Sequence, residues 1–453
     1  MAKTSTQFVC QACGATSVKW LGKCLGCGGW NTFVEERVPA ASPSSRAFLA
    51  NAGPVLLGDI AADASARIAT GIGELDRVLG GGAVLGAVVL VGGDPGVGKS
   101  TLLLQALSGL ALRGVTALYV SGEESAGQTA QRARRLGVGP KNLMVLAEGD
   151  LAEVERAVRE VRPKALVVDS VQTIRSDSLE SAAGTVSQLR EVTARLTDLS
   201  KREGIATFLV GHVTKEGQLA GPKVLEHLVD TVLSFEGERG HSFRALRTTK
   251  NRFGSATEVG VFEMTADGMR EVLQPSALFL AERPRGASGS VVAATAEGAR
   301  PLLVEVQALV GAPGFASPRR TANGVDGARL AMLLAVLSRR ASVEVSSCDV
   351  FVNVAGGVRI DEPALDLAVA LAVASSFRGH PFAEDAVAFG EVGLAGEVRG
   401  VARVAARLAE ARAMGFRRAL LPASSAERLT DAERGGLDLV PVSSLEKIID
   451  LWL

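Results

Sequence analysis

The sequence predicts an α/β protein in three folded parts: a small four-cysteine module, a mostly parallel sheet flanked by helices, and an α+β segment with strands and helices of its own. Three observations carry this reading. Two CxxC pairs lie within the first 27 residues. From Asp59 to Met269 short apolar strands alternate with helices, the pattern of a parallel sheet. A Pro/Gly/Arg junction, AERPRGASG at Ala281–Gly289, sets off the remainder. The 453 residues suit about three domains at roughly 150 residues each. The expected bounds are 1–36 for the cysteine module, 37–58 for a linker rich in Ala, Ser and Pro, 59–270 for the sheet domain, 271–284 for a connector and 285–453 for the last domain.

Composition narrows the function. Lysine plus arginine equals aspartate plus glutamate at 49 each, which excludes a globally basic coat and an acidic tail but leaves room for a local basic channel. Apolar residues make up 47% and aromatics only 4%, so the cores must be built from Ala, Val and Leu. No apolar run reaches the roughly 18 residues of a spanning helix. The best candidate, Ala364–Val373, is interrupted by Asp366, and MAKTSTQFVC has no apolar signal core. A cytoplasmic protein with no membrane partner is expected. Lysine is scarce, 11 against 38 arginines, and none lies between Lys250 and Lys447.

Cys10-x2-Cys13 and Cys24-x2-Cys27 stand ten residues apart, each pair followed by a glycine, Gly14 or Gly28. Two such knuckles supply four thiolates for tetrahedral Zn²⁺, and a closed four-cysteine set reads as structural rather than catalytic. The competing reading, two redox CxxC pairs, lacks the strand–helix setting such motifs use. Trp20 and Trp30 are expected to pack the module, and Cys348 to be a small buried hydrophobe in an apolar strand.

The strands expected in the sheet domain are Ala87–Val91, Ala117–Val120, Ala165–Val168, Thr207–Val210 and Thr231–Phe235, with a β-rich stretch from Phe243 to Phe262. GDPGVGKST, Gly93 to Thr101, follows the first of these and opens a helix. That context marks a P-loop for a nucleotide such as ATP. Gly93, Asp94, Pro95, Gly96, Val97 and Gly98 would form the loop, its glycines letting backbone N–H groups wrap the phosphates; Lys99 would reach the β- and γ-phosphates, Ser100 would ligate Mg²⁺ and Thr101 would begin the helix. In ALVVDS, Asp169 ends a strand where it can hold Mg²⁺ through water. In YVSGEES, Glu123 or Glu124 can orient the attacking water; the alternative for either is to cap the next helix. His212 ends a fourth strand and could sense the γ-phosphate or be satisfied within a loop.

With these residues the chain resembles the RadA (Sms) family of bacterial DNA-repair ATPases in the RecA superfamily. The resemblance spans nearly the whole chain. It rests on the cysteine pairs, TGIGELDRVLGGG (Thr70–Gly82), the P-loop, SGEES, GHVTKEGQLAGPKVLEHLVD (Gly211–Asp230) and KNRFG (Lys250–Gly254). It implies a zinc ribbon, a RecA-like P-loop ATPase domain and an α+β Lon-protease-like domain, assembled as a homo-hexameric ring with ATP bound between subunits. Lys250 and Arg252 would then act on the neighbour's ATP, and Glu123, 24 residues after Lys99, would be the water-orienting carboxylate. Lys215 and Lys223, spaced by glycines, would grip DNA from a pore loop, with Lys250 and Arg252 also near it.

Lon-type peptidases use a serine after a proline and a downstream lysine. The matching positions are Ala364, in DEPALDLAVAL, and about Ala405. Arginine cannot replace the lysine because it does not deprotonate, so peptidase activity is not expected. The fold would serve ring assembly and a DNA platform, for which Arg319, Arg320, Arg339, Arg340 and Arg359 are candidates. The expected function is a DNA-stimulated ATPase motor of helicase type. It would process or branch-migrate recombination intermediates on single-stranded and branched DNA together with the RecA recombinase. The alternative is an ATP-driven switch, like KaiC-type proteins, signalling through a protein partner of the zinc module.

Overall fold

The computed structural model describes residues 5–38, 56, 67–139, 141–211, 224–237, 243–298, 300–313, 317–357 and 359–453. Most of the expected linker, His212, Lys215 and Lys223 lie outside the described residues. The chain divides into two compact units, Met1–Glu271 and Val272–Leu453.

In the first unit the cysteine module is a three-stranded antiparallel sheet of β1 (Ser5–Cys10), β2 (Thr16–Ser17) and β3 (Phe33–Val38), in the order β2-β1-β3. Its core is Cys10, Cys24 and Phe33 with Phe8, Cys13, Ala15 and Leu21 against them. Trp20 and Trp30 do not pack it: they are 52% and 70% exposed, and Lys23 lies 5.5 Å from the Trp30 ring. Four thiols that can converge on a metal leave a module this small little need of aromatic filling.

After β4 (Arg67–Ile68), α1 (Gly73–Leu79) and β5 (Ala83–Val84) comes β6 (Val88–Gly93), the middle of a nine-stranded sheet. Then follow α2 (Lys99–Leu112), β7 (Ala117–Ser121), α3 (Ala126–Arg135), β8 (Leu143–Ala147), α4 (Leu151–Val161), β9 (Ala165–Asp169), α5 (Val186–Glu203), β10 (Ala206–Val210), α6 (Val224–Leu228) and β11 (Thr231–Glu236). The hairpin strands β12 (Phe243–Asn251), β13 (Val259–Thr265) and β14 (Gly268–Glu271) complete the unit. The sheet order is β14-β13-β12-β11-β6-β10-β9-β7-β8. The six strands from β11 to β8 are parallel and the last three are joined antiparallel. Strands buried on both faces read as continuous apolar runs. In β6, Val89 and Val91 face one core with α2, and Val88 and Leu90 face the other with α5. Every expected strand forms, within one or two residues. The additions are the short β4 and β5, the hairpin strand β14 and β8, a half-exposed edge strand.

Thr70–Gly82 is a structural clamp. Thr70 donates from N and Oγ1 to Asp76 Oδ1 at 2.9 and 2.8 Å. Buried Glu74 accepts from Val261 N at 2.9 Å. Gly82, at φ 125°, lies where a Cβ would meet Ile68 O at 2.8 Å.

The second unit begins with α7 (Pro275–Phe279), β15 (Ser290–Glu297), β16 (Arg300–Gly311), β17 (Arg320–Asn323), α8 (Gly327–Arg340) and β18 (Asp349–Val354). Next are α9 (Asp366–Arg378), β19 (Ala386–Ala388), β20 (Glu391–Val392), β21 (Val398–Arg399), α10 (Val404–Ala413), β22 (Arg418–Pro422), α11 (Ala423–Ala426), α12 (Asp431–Arg434), β23 (Asp438–Val442) and α13 (Leu445–Trp452). Its seven-stranded mixed sheet, β17-β18-β16-β15-β19-β22-β23, gives the expected α+β architecture. Cys348 is not in a strand; it is half-buried in the turn before β18, with Sγ 3.7 Å from Glu344 O.

Arg407 on α10 is fully buried. It binds Glu362 bidentately, donates to Ala294 O at 2.7 Å and Ala402 O at 3.0 Å, and lies 5.6 Å from the Phe389 ring. Breaking a buried pair strands the remaining charge, which costs about 3–5 kcal/mol. Arg407→Ala is therefore expected to lower the stability of this unit by about that much, read as a lower urea midpoint, with zinc content unchanged.

Candidate active site and metal centre

A parallel sheet presents the carboxyl ends of its strands along one edge, where connecting loops build sites. Here β6, β7, β9 and β10 end together. β6 runs into the loop 93–98, whose glycines answer close contacts. At Gly93 a Cβ would lie 2.5 Å from Phe235 O; at Gly98, φ 113°, it would lie 2.4 Å from Met269 Cε. Asp94, Pro95 and Gly96 are exposed, and Val97 is buried beneath them. Gly98 is the N-cap of α2, so the first turn of that helix, Lys99, Ser100 and Thr101, opens onto the loop. Lys99 is 4% exposed, and its Nζ donates to Gly93 O at 2.7 Å and Asp94 O at 2.9 Å. Burial lowers its pKa, opposed by the charges of Asp169, Asp94 and Glu123. These amides and this ammonium fit a phosphate chain.

Asp169 ends β9 and is largely buried. Tyr119 Oη donates to its Oδ2, and Arg132 Nη1 lies 4.0 Å from the same oxygen. Burial first, and then the Asp169 charge, pushes the Tyr119 pKa up, so the phenol stays protonated. The two glutamates after β7 part ways. Glu124 is ion-paired with Arg132. Glu123 is exposed, and Ser170 Oγ donates to its Oε1 at 2.6 Å. Neither caps α3; Ser125 does, in a capping box with Gln128. Lys99, Asp169 and Glu123 thus share the sheet edge. Tyr119, Ser170 and Arg132 are the residues that sequence reasoning passed over. Tyr119 is the only tyrosine in the chain, a signal that was available.

KNRFG lies at the end of β12. Lys250 Nζ donates to Glu226 O and, at 2.8 Å, to Val229 O, the carbonyls at the end of α6. Burial and the Arg252 charge lower its pKa. Arg252 Nη1 donates to Asp230 Oδ1 at 2.9 Å with its side chain 53% exposed. Asn251 Oδ1 accepts from Phe253 N at 2.9 Å, and Arg67 Nη2 donates to Phe253 O at 2.6 Å. Asn251 and Phe253 thus fix the turn, and Gly254 packs against Gly80, where a Cβ would find Gly80 Cα at 3.2 Å.

In the metal centre the Sγ atoms of Cys10, Cys13, Cys24 and Cys27 lie within 4.8 Å of one another. Cys10–Cys27 is 3.8 Å and Cys13–Cys24 is 3.5 Å, near the roughly 3.8 Å edge of a tetrahedron with Zn–S about 2.3 Å. The donor set fits Zn²⁺. The knuckles also hold the sheet domain: Val186 N donates to Gln11 Oε1 at 3.3 Å and Arg190 Nη1 to Gly14 O at 3.0 Å.

Residues 8–35 match the model of a rubredoxin metal binding domain, residues 60–218 that of an AAA domain and residues 324–425 that of subunit ChlI of Mg-chelatase. DNA repair protein RadA of Bacillus subtilis (strain 168) is 48% identical over 454 residues, covering 99% of this chain and 99% of that protein. DNA repair protein RadA of Pseudomonas aeruginosa (strain PAO1) is 51% identical, again over 99% of each. The chain belongs to the RadA family. A solved structure, the KaiC-like protein PH0186 from Pyrococcus horikoshii OT3, is 20% identical and covers 46% of this chain and 99% of that one with a TM-score of 0.39. RadA family membership accounts for the three parts in order: zinc ribbon, RecA-like P-loop domain and Lon-like domain. In the last, Ala364 is fully buried in the 3₁₀ turn just before α9. Arg319, Arg320, Arg339, Arg340 and Arg359 are all exposed, Arg359 paired with Asp361 at 2.8 Å. No helix among the described residues is long and apolar enough to cross a membrane.

Cys27→Ser is expected to abolish stoichiometric zinc binding, measured by chelator release, because three thiolates leave the tetrahedral set open. The same variant should lower the protection of the α5 amides against hydrogen exchange, since Gln11 and Gly14 hold that helix.

Proposed function

We propose that the protein is an ATP-hydrolysing DNA-repair motor whose turnover is coupled to single-stranded DNA. The observation that carries this reading is the convergence of Lys99, Asp169 and Glu123 on one sheet edge. There Ser170 directs Glu123 and Arg132 withdraws Glu124. Backbone N–H groups of 93–98 and the Lys99 ammonium bind the phosphates of ATP. Ser100 and Asp169 would hold Mg²⁺, which would neutralise charge building on the phosphate oxygens. Glu123 orients the attacking water and accepts its proton.

Arg252, half-exposed on a turn braced by Asn251 and Arg67, is suited to reach the ATP of a neighbouring copy in a ring. Such a cation stabilises the charge of phosphoryl transfer. Lys250 has the second role, bracing the end of α6 directly after the segment that carries Lys215 and Lys223. That segment would grip the phosphate backbone without reading sequence. The relatives' name supports a role in DNA repair; the resemblance points further, to recombination intermediates and the RecA recombinase. Ala364 and the lysine gap support the absence of peptidase chemistry.

ATP turnover of the wild type is expected to rise on adding single-stranded DNA at moderate salt, with Lys99→Ala as the inactive blank. Turnover unchanged by DNA would favour the nucleotide-switch reading. Arg252→Ala should lower kcat by roughly a thousandfold while ATP binding, read with a fluorescent analogue, holds. Casein should stay intact in the presence of ATP; its degradation would overturn the assignment of the C-terminal domain.

A further inference from the structure

We propose that Tyr119 is a positioning residue for Asp169: its hydroxyl fixes one carboxylate oxygen so that the other faces the bound metal in a single orientation. The inference rests on the reading of Asp169 as the carboxylate that holds Mg²⁺.

Tyr119 stands in the middle of β7, a strand whose other residues are Ala, Leu, Val and Ser. It is 1% exposed. Parallel pairing of β7 with β9 puts Tyr119 beside Val167, two residues before Asp169. The side chain spans that offset, and Oη reaches Asp169 Oδ2. A phenylalanine would fill the same volume with no polar atom to satisfy, and a buried hydroxyl is unfavourable unless it is hydrogen-bonded. The hydroxyl therefore has a task, and its partner is the carboxylate at the strand end.

A second group converges on the same oxygen. Arg132 Nη1, a buried atom with no hydrogen-bond partner among the described residues, lies 4.0 Å from Asp169 Oδ2, while Nη2 is held by Glu124. Asp169 Oδ2 is thus engaged by Tyr119 and faced by Arg132. The terminal torsion of an aspartate is broad, so an unrestrained carboxylate samples many orientations. A hydrogen bond to one oxygen narrows that range. Groups that orient a metal-holding residue in this way commonly change metal affinity or activity by about 10–100-fold when removed.

Tyr119→Phe removes the hydroxyl and keeps the ring. With ADP present, the affinity for Mn²⁺, read by electron paramagnetic resonance, is expected to fall about tenfold. ADP affinity without divalent metal should not change, and the Mg²⁺ concentration for half-maximal ATP turnover should rise by a similar factor. Asp169→Asn is the reference. If Asp169→Asn weakens Mn²⁺ binding and Tyr119→Phe does not, the role of Tyr119 is overturned while Asp169 keeps its own. If neither variant weakens it, the reading of Asp169 fails and the inference with it. A second measurement uses the wild-type chain. Because Tyr119 is the only tyrosine, 3-fluorotyrosine labels it uniquely, and its fluorine resonance should shift when Mg²⁺ is added to the ADP complex. No shift would overturn the proposal.

Discussion

The position of β6 constrains everything else in the N-terminal unit. It is fully buried and paired on both sides, with β10 and β11, and its two faces lie in two separate apolar cores. A strand clamped in this way cannot slip by one residue without turning Val89 and Val91 into the core that holds Val88 and Leu90. The loop leaving it is therefore held in register against β7 and β9, and the glycine-rich loop, Asp169 and Glu123 come to lie at one edge. Gly93 follows from the same packing, since β11 brings Phe235 O to 2.5 Å from any Cβ there.

Around this core, motifs that mark the family turn out to do different kinds of work. Thr70–Gly82 joins the chain entering the domain to β13 through Thr70–Asp76 and Glu74–Val261. KNRFG divides: Asn251 and Gly254 make the turn, Lys250 braces α6, and Arg252 keeps an exposed guanidinium. The cysteine module adds a further division. Its knuckles hold α5, while Val18, Trp20, Leu25 and Trp30 are turned to solvent.

The C-terminal unit has a Lon-like frame. Ala364 is buried, and Arg407, two residues beyond Ala405, is locked to Glu362 in the interior. An always-charged guanidinium there contributes structure, and cannot act as the proton acceptor a serine would require.

Much of this was legible in the sequence because it depends on short-range pattern. Apolar runs of five set the strands, the G-x4-G-K-S spacing set the phosphate loop, and paired CxxC knuckles set the metal centre. Ala364 and the lysine gap were plain from residue identity alone. The tertiary structure decided which partners these residues find. Glu123 and Glu124 are adjacent and chemically alike, so only the approach of Ser170 to one and Arg132 to the other separates them. Trp20 and Trp30 looked like core residues until four converging thiols had taken that place. Tyr119 looked like one more strand residue, because the neighbour that gives its hydroxyl a purpose, Asp169, is 50 residues away in the chain and meets it only when β7 and β9 lie side by side.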